Sequence, residues 1–414
     1  MSHNVRRRTR CRLCDGANLV RVLKLVPTPP ANAFVPAEKL DEPQACYPLD
    51  VYFCEACSHL QLLDVVDPEI LFRDYVYVSG TSPSFVKHFQ TYAEDCIARF
   101  TPALESMAID IGSNDGTLLQ FFKAAGMSVL GIDPAIKIAA AATARGLETW
   151  PEFLTAELTA RILSEKGKAA IVTANNVFAH GDDLAGLTDC IRALLADDGV
   201  FVFEVSYAAD VHANVLFDTI YHEHVDYHTV VPLVPFFEKH GLELFSARRI
   251  ATHGGSLRGY VQHAGGPHKP DGSVAALVAD ERSRSLDRVA GWTEFAGRID
   301  RVGRDLSALL DDLRKQGKRI AGFGAPAKAT TLMYRFGLDK TAVDYIVDDS
   351  PLKQGLFTPG KHVPVVASSH IAEAWPDYMV ILAWNFADTI IANHREYLNK
   401  GGHFIVPLPE LRIV

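Results

Sequence analysis

The densest chemistry in the sequence lies in Phe217-Asp-Thr-Ile-Tyr-His-Glu-His-Val-Asp-Tyr227. There Asp218, Thr219, Tyr221, His222, Glu223, His224, Asp226 and Tyr227 can each enter acid–base chemistry or hydrogen bonding. Histidine titrates near neutral pH and suits a general base. A helical turn would put Tyr221 and His224 on one face. An extended segment would instead pair His222 with His224 and turn Glu223 away. A metal held by His222 and His224 would lack an obvious further ligand set nearby. His180 follows the apolar run Ala169–Thr173, so it falls at the carboxyl edge of a sheet, where open α/β folds bind ligands.

Three further patterns carry chemistry. Cys11-Arg-Leu-Cys14 and Cys54-Glu-Ala-Cys57 are paired knuckles, and four thiolates suit a closed tetrahedral zinc site that is structural rather than catalytic. Gly112-Ser-Asn-Asp-Gly116 is a small-residue turn without the GxGxxG spacing of a dinucleotide site. Asp133 follows the next apolar run, at a separation suited to ribose hydroxyls. Ser113, Asn114 and Asp115 suit a zwitterionic nucleoside such as S-adenosylmethionine better than NAD. Gly322–Lys328 sets backbone N–H groups at a helix start beside Lys328, an arrangement that favours an anion such as a diphosphate. His253-Gly-Gly-Ser-Leu-Arg258 is either a tight turn or a place where backbone approaches a substrate.

The elements that must position these groups alternate. Met107–Asp110, Ser128–Ile132, Ala169–Thr173 and Gly199–Glu204 read as strands separated by helices, one of them near Leu184–Leu195. That alternation predicts a parallel, doubly wound sheet. A second alternating unit begins near Arg319, with strands at Val343–Val347, Tyr378–Leu382 and Phe404–Pro407. The expected fold is α/β throughout: a zinc-binding domain at 1–70, a Rossmann-like domain at 71–285 and a second Rossmann-like domain at 286–414. A cleft between the two α/β units is the expected ligand site.

Composition narrows the function. Against 41 Lys+Arg stand 50 Asp+Glu, a net charge of −9, so no broad cationic field for nucleic acid or anionic lipid is expected. No run approaches the roughly 18 apolar residues of a membrane span. The basic run Arg6–Arg8 and Arg10 has no apolar segment after it and reads as a solvated terminus. A cytoplasmic protein, monomeric or weakly oligomeric, is expected. Cys46, Cys96 and Cys190 read as packing residues.

In order along the chain, these motifs resemble the S-adenosylmethionine-dependent sugar C-methyltransferases, which methylate a carbon of nucleotide-linked keto-deoxysugars. The resemblance rests on the two knuckles, Tyr75-Val-Tyr77-Val-Ser79, Gly112–Gly116, Asn175-Asn-Val-Phe-Ala-His180 and Phe217–His224. It continues through His253–Arg258, Gly324-Ala-Pro-Ala-Lys328, Val347–Gln354, Pro359-Gly-Lys-His362 and Trp384-Asn385. It implies a catalytic group of His224 as base, with Tyr221, Glu223 and His180. The implied cofactor contacts are Tyr77, Gly112, Ser113, Asn114, Asp115, Asp133, Asn175 and Asn176. For the nucleotide-diphosphate keto-sugar, the implied contacts are His222, Arg258, Gly324, Lys328, Asp348, Lys353, His362, Trp384 and Asn385. Asp133 stands where the family more often has glutamate, and Thr330–Arg335 departs from its commoner asparagine pattern.

The chemistry implied is removal of the C3 proton beside a 4-ketone, followed by attack of C3 on the sulfonium methyl. Two rival readings fit part of the pattern. One is an O- or N-methyltransferase of the same architecture; the other is a non-catalytic module that binds zinc and a nucleotide.

Overall fold

Ala169-Ala-Ile-Val-Thr-Ala-Asn175 is almost continuously apolar, as a strand covered on both faces must be. In the computed structural model, which describes residues 4–72, 80, 83–252 and 254–414, it is an inner strand of a seven-stranded sheet. The strand order is Leu242–Ile250, Ser256–His263, Leu195–Ser206, Ala169–Asn175, Met107–Ile111, Ser128–Ile132 and Thr149–Trp150. The last five run parallel to one another. The first two form an antiparallel hairpin on the edge. A wholly parallel sheet was expected; only residues 251–255 join these two strands, and a parallel crossover needs a dozen or more. Gly254 (φ 92°) and Gly255 (φ 131°) make that reversal.

The strand Met107–Ile111 is the pivot. Later strands are laid to one side of it, then the chain crosses to Ala169–Asn175 on the other. Such a switch opens a crevice outside the carboxyl ends of the two strands. The helices are locally specified too: Thr155 caps Ala156–Glu165 through the Leu158 N–H, and Asp183 caps Leu184–Leu194 through the Gly186 N–H.

The second unit repeats the plan with six strands, in the order Val365–Val366, Ile346–Val347, Ile320–Phe323, Tyr378–Ile381, His403–Val406 and Arg412–Ile413. All are parallel except the last. Its switch lies beside Ile320–Phe323, where Gly324 (φ 83°) turns the chain; a Cβ there would come within 2.5 Å of the Ala383 Cβ. The helix Val289–Lys315 links the two units and lies against strand Leu19–Leu23 and helix Ala329–Phe336.

The N-terminal region forms a four-stranded antiparallel sheet, and its outermost strand comes from far along the chain. Asp226–Tyr227 pairs with Gln61 and Leu60. The segment richest in chemistry therefore ends as part of the knuckle sheet. No helix among the described residues is long and apolar enough to cross a membrane.

Candidate active site

Residues 217–227 begin as a 3-10 turn, Phe217–Thr219, anchored by the fully buried Phe217 ring packed on Phe336. The chain then makes a second turn in which the His224 N–H donates to the Tyr221 carbonyl. Of the two conformations open from sequence, this is the turn. The Tyr221 and His224 rings lie 4.1 Å apart, centre to centre. His224 also stacks on His180 at 5.1 Å and 19°, and His180 stacks on Phe72 at 5.4 Å. The His224 Nδ1 lies 2.8 Å from the Thr219 carbonyl oxygen. A carbonyl only accepts, so Nδ1 carries the hydrogen and the lone pair of the neutral ring sits on Nε2.

His180 is held neutral: burial, and then the neighbouring His224, push its pKa well below the ordinary value. Its buried Nε2 has no hydrogen-bond partner among the described residues. Glu223 is buried, and one of its oxygens accepts from Asn32 Nδ2 at 3.4 Å. His222 points the other way. It is buried against the N-terminal region, donates from Nε2 to the Tyr47 carbonyl at 3.1 Å, and is pushed down to about 4 by burial. The turn thus separates His222 from His224, so the two do not form a metal pair.

The cofactor residues converge on the first switch crevice. Asp133 accepts the backbone N–H of Asn114 at 2.8 Å and of Ala135 at 2.9 Å. Gly112 (φ 69°) is required by the chain itself, since a Cβ would meet Val177 Cγ2 at 2.2 Å. Ser113 Oγ and both amide atoms of Asn175 are buried with no partner among the described residues. Buried polar atoms are normally satisfied, so this row of orphans along the carboxyl edge fits a polar ligand such as S-adenosylmethionine. Asn176 adopts φ 56° and Asp115 accepts from Thr117. Beneath them Asp110, bonded to Thr173 Oγ1 at 2.6 Å, is pushed up to about 7 by burial. Tyr77 and His253 lie outside the described residues.

In the second unit Asp348 repeats the arrangement of Asp133. It accepts the N–H of Ala325 at the glycine turn and of Ser350 two residues on, at 2.6 and 2.8 Å. Lys353 Nζ donates to the Ala325 carbonyl and stands 3.8 Å from Asp348. Lys328 Nζ sits 3.4 Å from the centre of the Trp384 ring, and burial lowers its pKa to about 8. The Trp384 Nε1–H donates to Asp218 at 2.5 Å. Asn385 Oδ1 is buried and unpartnered among the described residues.

Three of the expected substrate contacts stand elsewhere: His222, turned to the Tyr47 carbonyl, and two more. Arg258 lies on an inner strand of the first sheet, where its Nε and Nη2 both donate to buried Glu204 and its guanidinium covers the Tyr92 ring at 3.9 Å. Its charge is already matched, so it is not free to bind an anion. His362 precedes strand Val365–Val366, on the amino-terminal side of the parallel strands, whereas Asp348 and Trp384 follow the carboxyl ends of theirs.

Cys11, Cys14, Cys54 and Cys57 place their four sulfurs within 4.8 Å of one another. The Cys11–Cys57 and Cys14–Cys54 separations are both 3.6 Å. A tetrahedral ion with Zn–S near 2.3 Å needs sulfurs about 3.8 Å apart, so the set fits zinc. After each knuckle the chain takes positive φ, at Asp15 (60°) and Ser58 (69°), and those two N–H groups donate to the Cys11 and Cys54 carbonyls.

Comparison with known proteins agrees with this layout. Family models match residues 11–72 as "Putative zinc binding domain", 85–247 as "Methyltransferase domain" and 251–409 as "C-methyltransferase C-terminal domain". C-methyltransferase NovU of Streptomyces niveus is 35% identical over 404 residues, 98% of this chain and 96% of that one. The chain belongs to the C-methyltransferase family.

It is an S-adenosylmethionine-dependent methyltransferase with a zinc-binding N-terminal region. Among solved structures, the methyltransferase is similar to magnesium protoporphyrin IX methyltransferase of Synechocystis PCC 6803. With bound SAH that chain is 16% identical, with 42% of this chain and 82% of that one covered and a TM-score of 0.34. With bound SAM the values are 14%, 48%, 98% and 0.35.

Sequence reasoning gave Asp110, Thr219, Asp218 and Asn32 of the methyltransferase no specific role. Asp218 was one acid in a crowded segment, and its partner Trp384 lies 166 residues away. Thr219 contributes a main-chain oxygen, which no side-chain pattern reveals.

Proposed function

We propose that this enzyme transfers a methyl group to C3 of a nucleotide-linked 4-keto-deoxysugar, with His224 as the base. The observation that carries the reading is the Nδ1–H bond of His224 to the Thr219 carbonyl, which leaves Nε2 as the basic position in a stack with Tyr221 and His180. A carbon beside a ketone gives up a proton because the charge left behind spreads onto oxygen. His224 Nε2 takes the C3 proton, and the C–H electron pair moves into the enolate. C3 then attacks the methyl group, the new C–C bond forms as the S–CH3 bond breaks, and the thioether leaves. Bound S-adenosylmethionine supplies the electrophilic methyl.

A positioned base contributes about 10²–10⁴-fold. Near-attack geometry contributes roughly 7–11 kcal/mol, the larger share. The enolate oxygen needs a donor; His180 Nε2, neutral and unpartnered among the described residues, and the Tyr221 hydroxyl are the candidates. In this reading residues 1–70 hold zinc, 71–285 hold the cofactor and base, and 286–414 hold the nucleotide through Gly324, Lys328, Asp348, Lys353 and Asn385. The sugar lies between the last two parts.

The test is a paired assay of a nucleoside-diphosphate 4-keto-deoxysugar and its 4-hydroxy counterpart, with product carbon connectivity read by NMR. The reading expects a new methyl on C3 of the ketone alone. Methylation of an oxygen, or equal turnover of the alcohol, overturns it.

A further inference from the structure

The residues on either side of Thr219 are both tied to the second α/β unit. Asp218 accepts the Trp384 indole N–H at 2.5 Å, and the Ile220 carbonyl accepts the Thr331 hydroxyl at 2.6 Å. Between them, the Thr219 carbonyl receives the His224 Nδ1–H. Three consecutive residues therefore connect helix Ala329–Phe336 and the loop after strand Tyr378–Ile381 to the imidazole of His224.

The chemistry of this contact argues against a packing role alone. Asp218 is fully buried, its other oxygen Oδ1 has no hydrogen-bond partner among the described residues, and the nearby charge that favours its ionised form is the Lys328 ammonium on the Trp384 face. For packing alone an apolar residue of the same shape would serve as well, since burying a carboxyl costs desolvation free energy. What it contributes is direction. An apolar contact can slide, whereas an N–H···O bond fixes the turn in one register. The Trp384 ring, pressed near Leu216 at Gly254 on one side and carrying Lys328 on its face, is itself held in place.

We propose that Trp384 and Thr331 are positioning residues through which the second α/β unit sets the Thr219 carbonyl, and with it the tautomer and orientation of His224. The proposal rests on the reading of His224 as the base. It departs from the expectation that Trp384 serves as a wall of the substrate site.

The test uses full-length Trp384→Phe and Thr331→Val. The first keeps a ring beneath Lys328, and the second is nearly isosteric and guards against a folding defect in the first. Both should lower kcat and solvent-deuterium exchange at C3 about tenfold or more, since small misplacement of a catalytic group is costly. KM for both substrates should stay within about twofold. With ring-15N histidine, the His224 signals, assigned by their loss in His224→Asn, should change from one tautomer to a mixture of two. An unchanged kcat with a single tautomer overturns the proposal, as does a raised KM for the nucleotide sugar at unchanged kcat. If His224→Asn keeps full exchange, the base assignment fails, while the tautomer readout still decides whether the second unit sets the ring.

Discussion

His224 donates from Nδ1 to the main-chain oxygen of Thr219 across 2.8 Å. The bond joins two residues of one short segment, yet each end of that segment belongs to a different part of the protein. The Phe217–Thr219 turn packs on helix Ala329–Phe336, and Asp226–Tyr227 completes the knuckle sheet. His222 and Glu223 lie against residues 27–47, through Tyr47 and Asn32. The imidazole is therefore held by a loop that three folded regions define together.

Asn175 links affinity to stability with opposite signs. Its amide is buried without partners among the described residues, a cost of about 1–3 kcal/mol that a bound ligand relieves. Asn175→Ala is expected to leave the ligand-free protein equally or more stable. It should weaken S-adenosylmethionine by roughly 5- to 150-fold. Thermal melts with and without S-adenosylmethionine check both halves.

The four-thiolate set predicts close to one zinc per chain by metal analysis. Cys14→Ser should lose the metal and destabilise the N-terminal region by more than about 4 kcal/mol, the range of a lost structural metal. Because Tyr227 is paired with Leu60 in the same sheet, while the Asp226 N–H donates to the Ala179 carbonyl instead, hydrogen exchange at Tyr227 should rise together with that of Leu60 and Leu62. Protection retained at Tyr227 after zinc loss would contradict the shared sheet.

His222 makes stability pH-dependent in a defined window. Burial lowers its pKa from about 6.5 to about 4, so between those values the unfolded chain binds the extra proton. Stability from this group is complete above pH 6.5 and falls as pH drops toward 4, by up to about 3 kcal/mol. His222→Gln should flatten that part of the curve in denaturant unfolding measured from pH 7 to 4. An identical slope in the variant would contradict the burial of a neutral imidazole.

Much of this was legible in the sequence because it is local. Paired CxxC knuckles, a strand followed by a glycine turn and then an acid after the next strand, and the crowding at 217–227 each depend on residues near one another. The turn at Gly254–Gly255 was open to reading as a tight turn, but the two strands it joins, Leu242–Ile250 and Ser256–His263, were not read, so the antiparallel edge was missed. Arg258 was misleading for another reason: the resemblance implies a substrate contact there, and its partner Glu204, 54 residues earlier, is found opposite it only in the fold. The Asp218–Trp384 bond and the Thr219 carbonyl could not be read at all. One needs the two α/β units brought together, and the other is backbone.

The central claim is that His224 removes a proton from carbon. Its most direct measurement is solvent-deuterium exchange at C3 of the 4-keto nucleotide sugar, followed by NMR with S-adenosylhomocysteine bound so that no methyl transfer intervenes. Wild-type enzyme should exchange C3. His224→Asn, still binding both ligands, should exchange it at least about a hundredfold more slowly. Exchange at the wild-type rate in that variant would contradict the account.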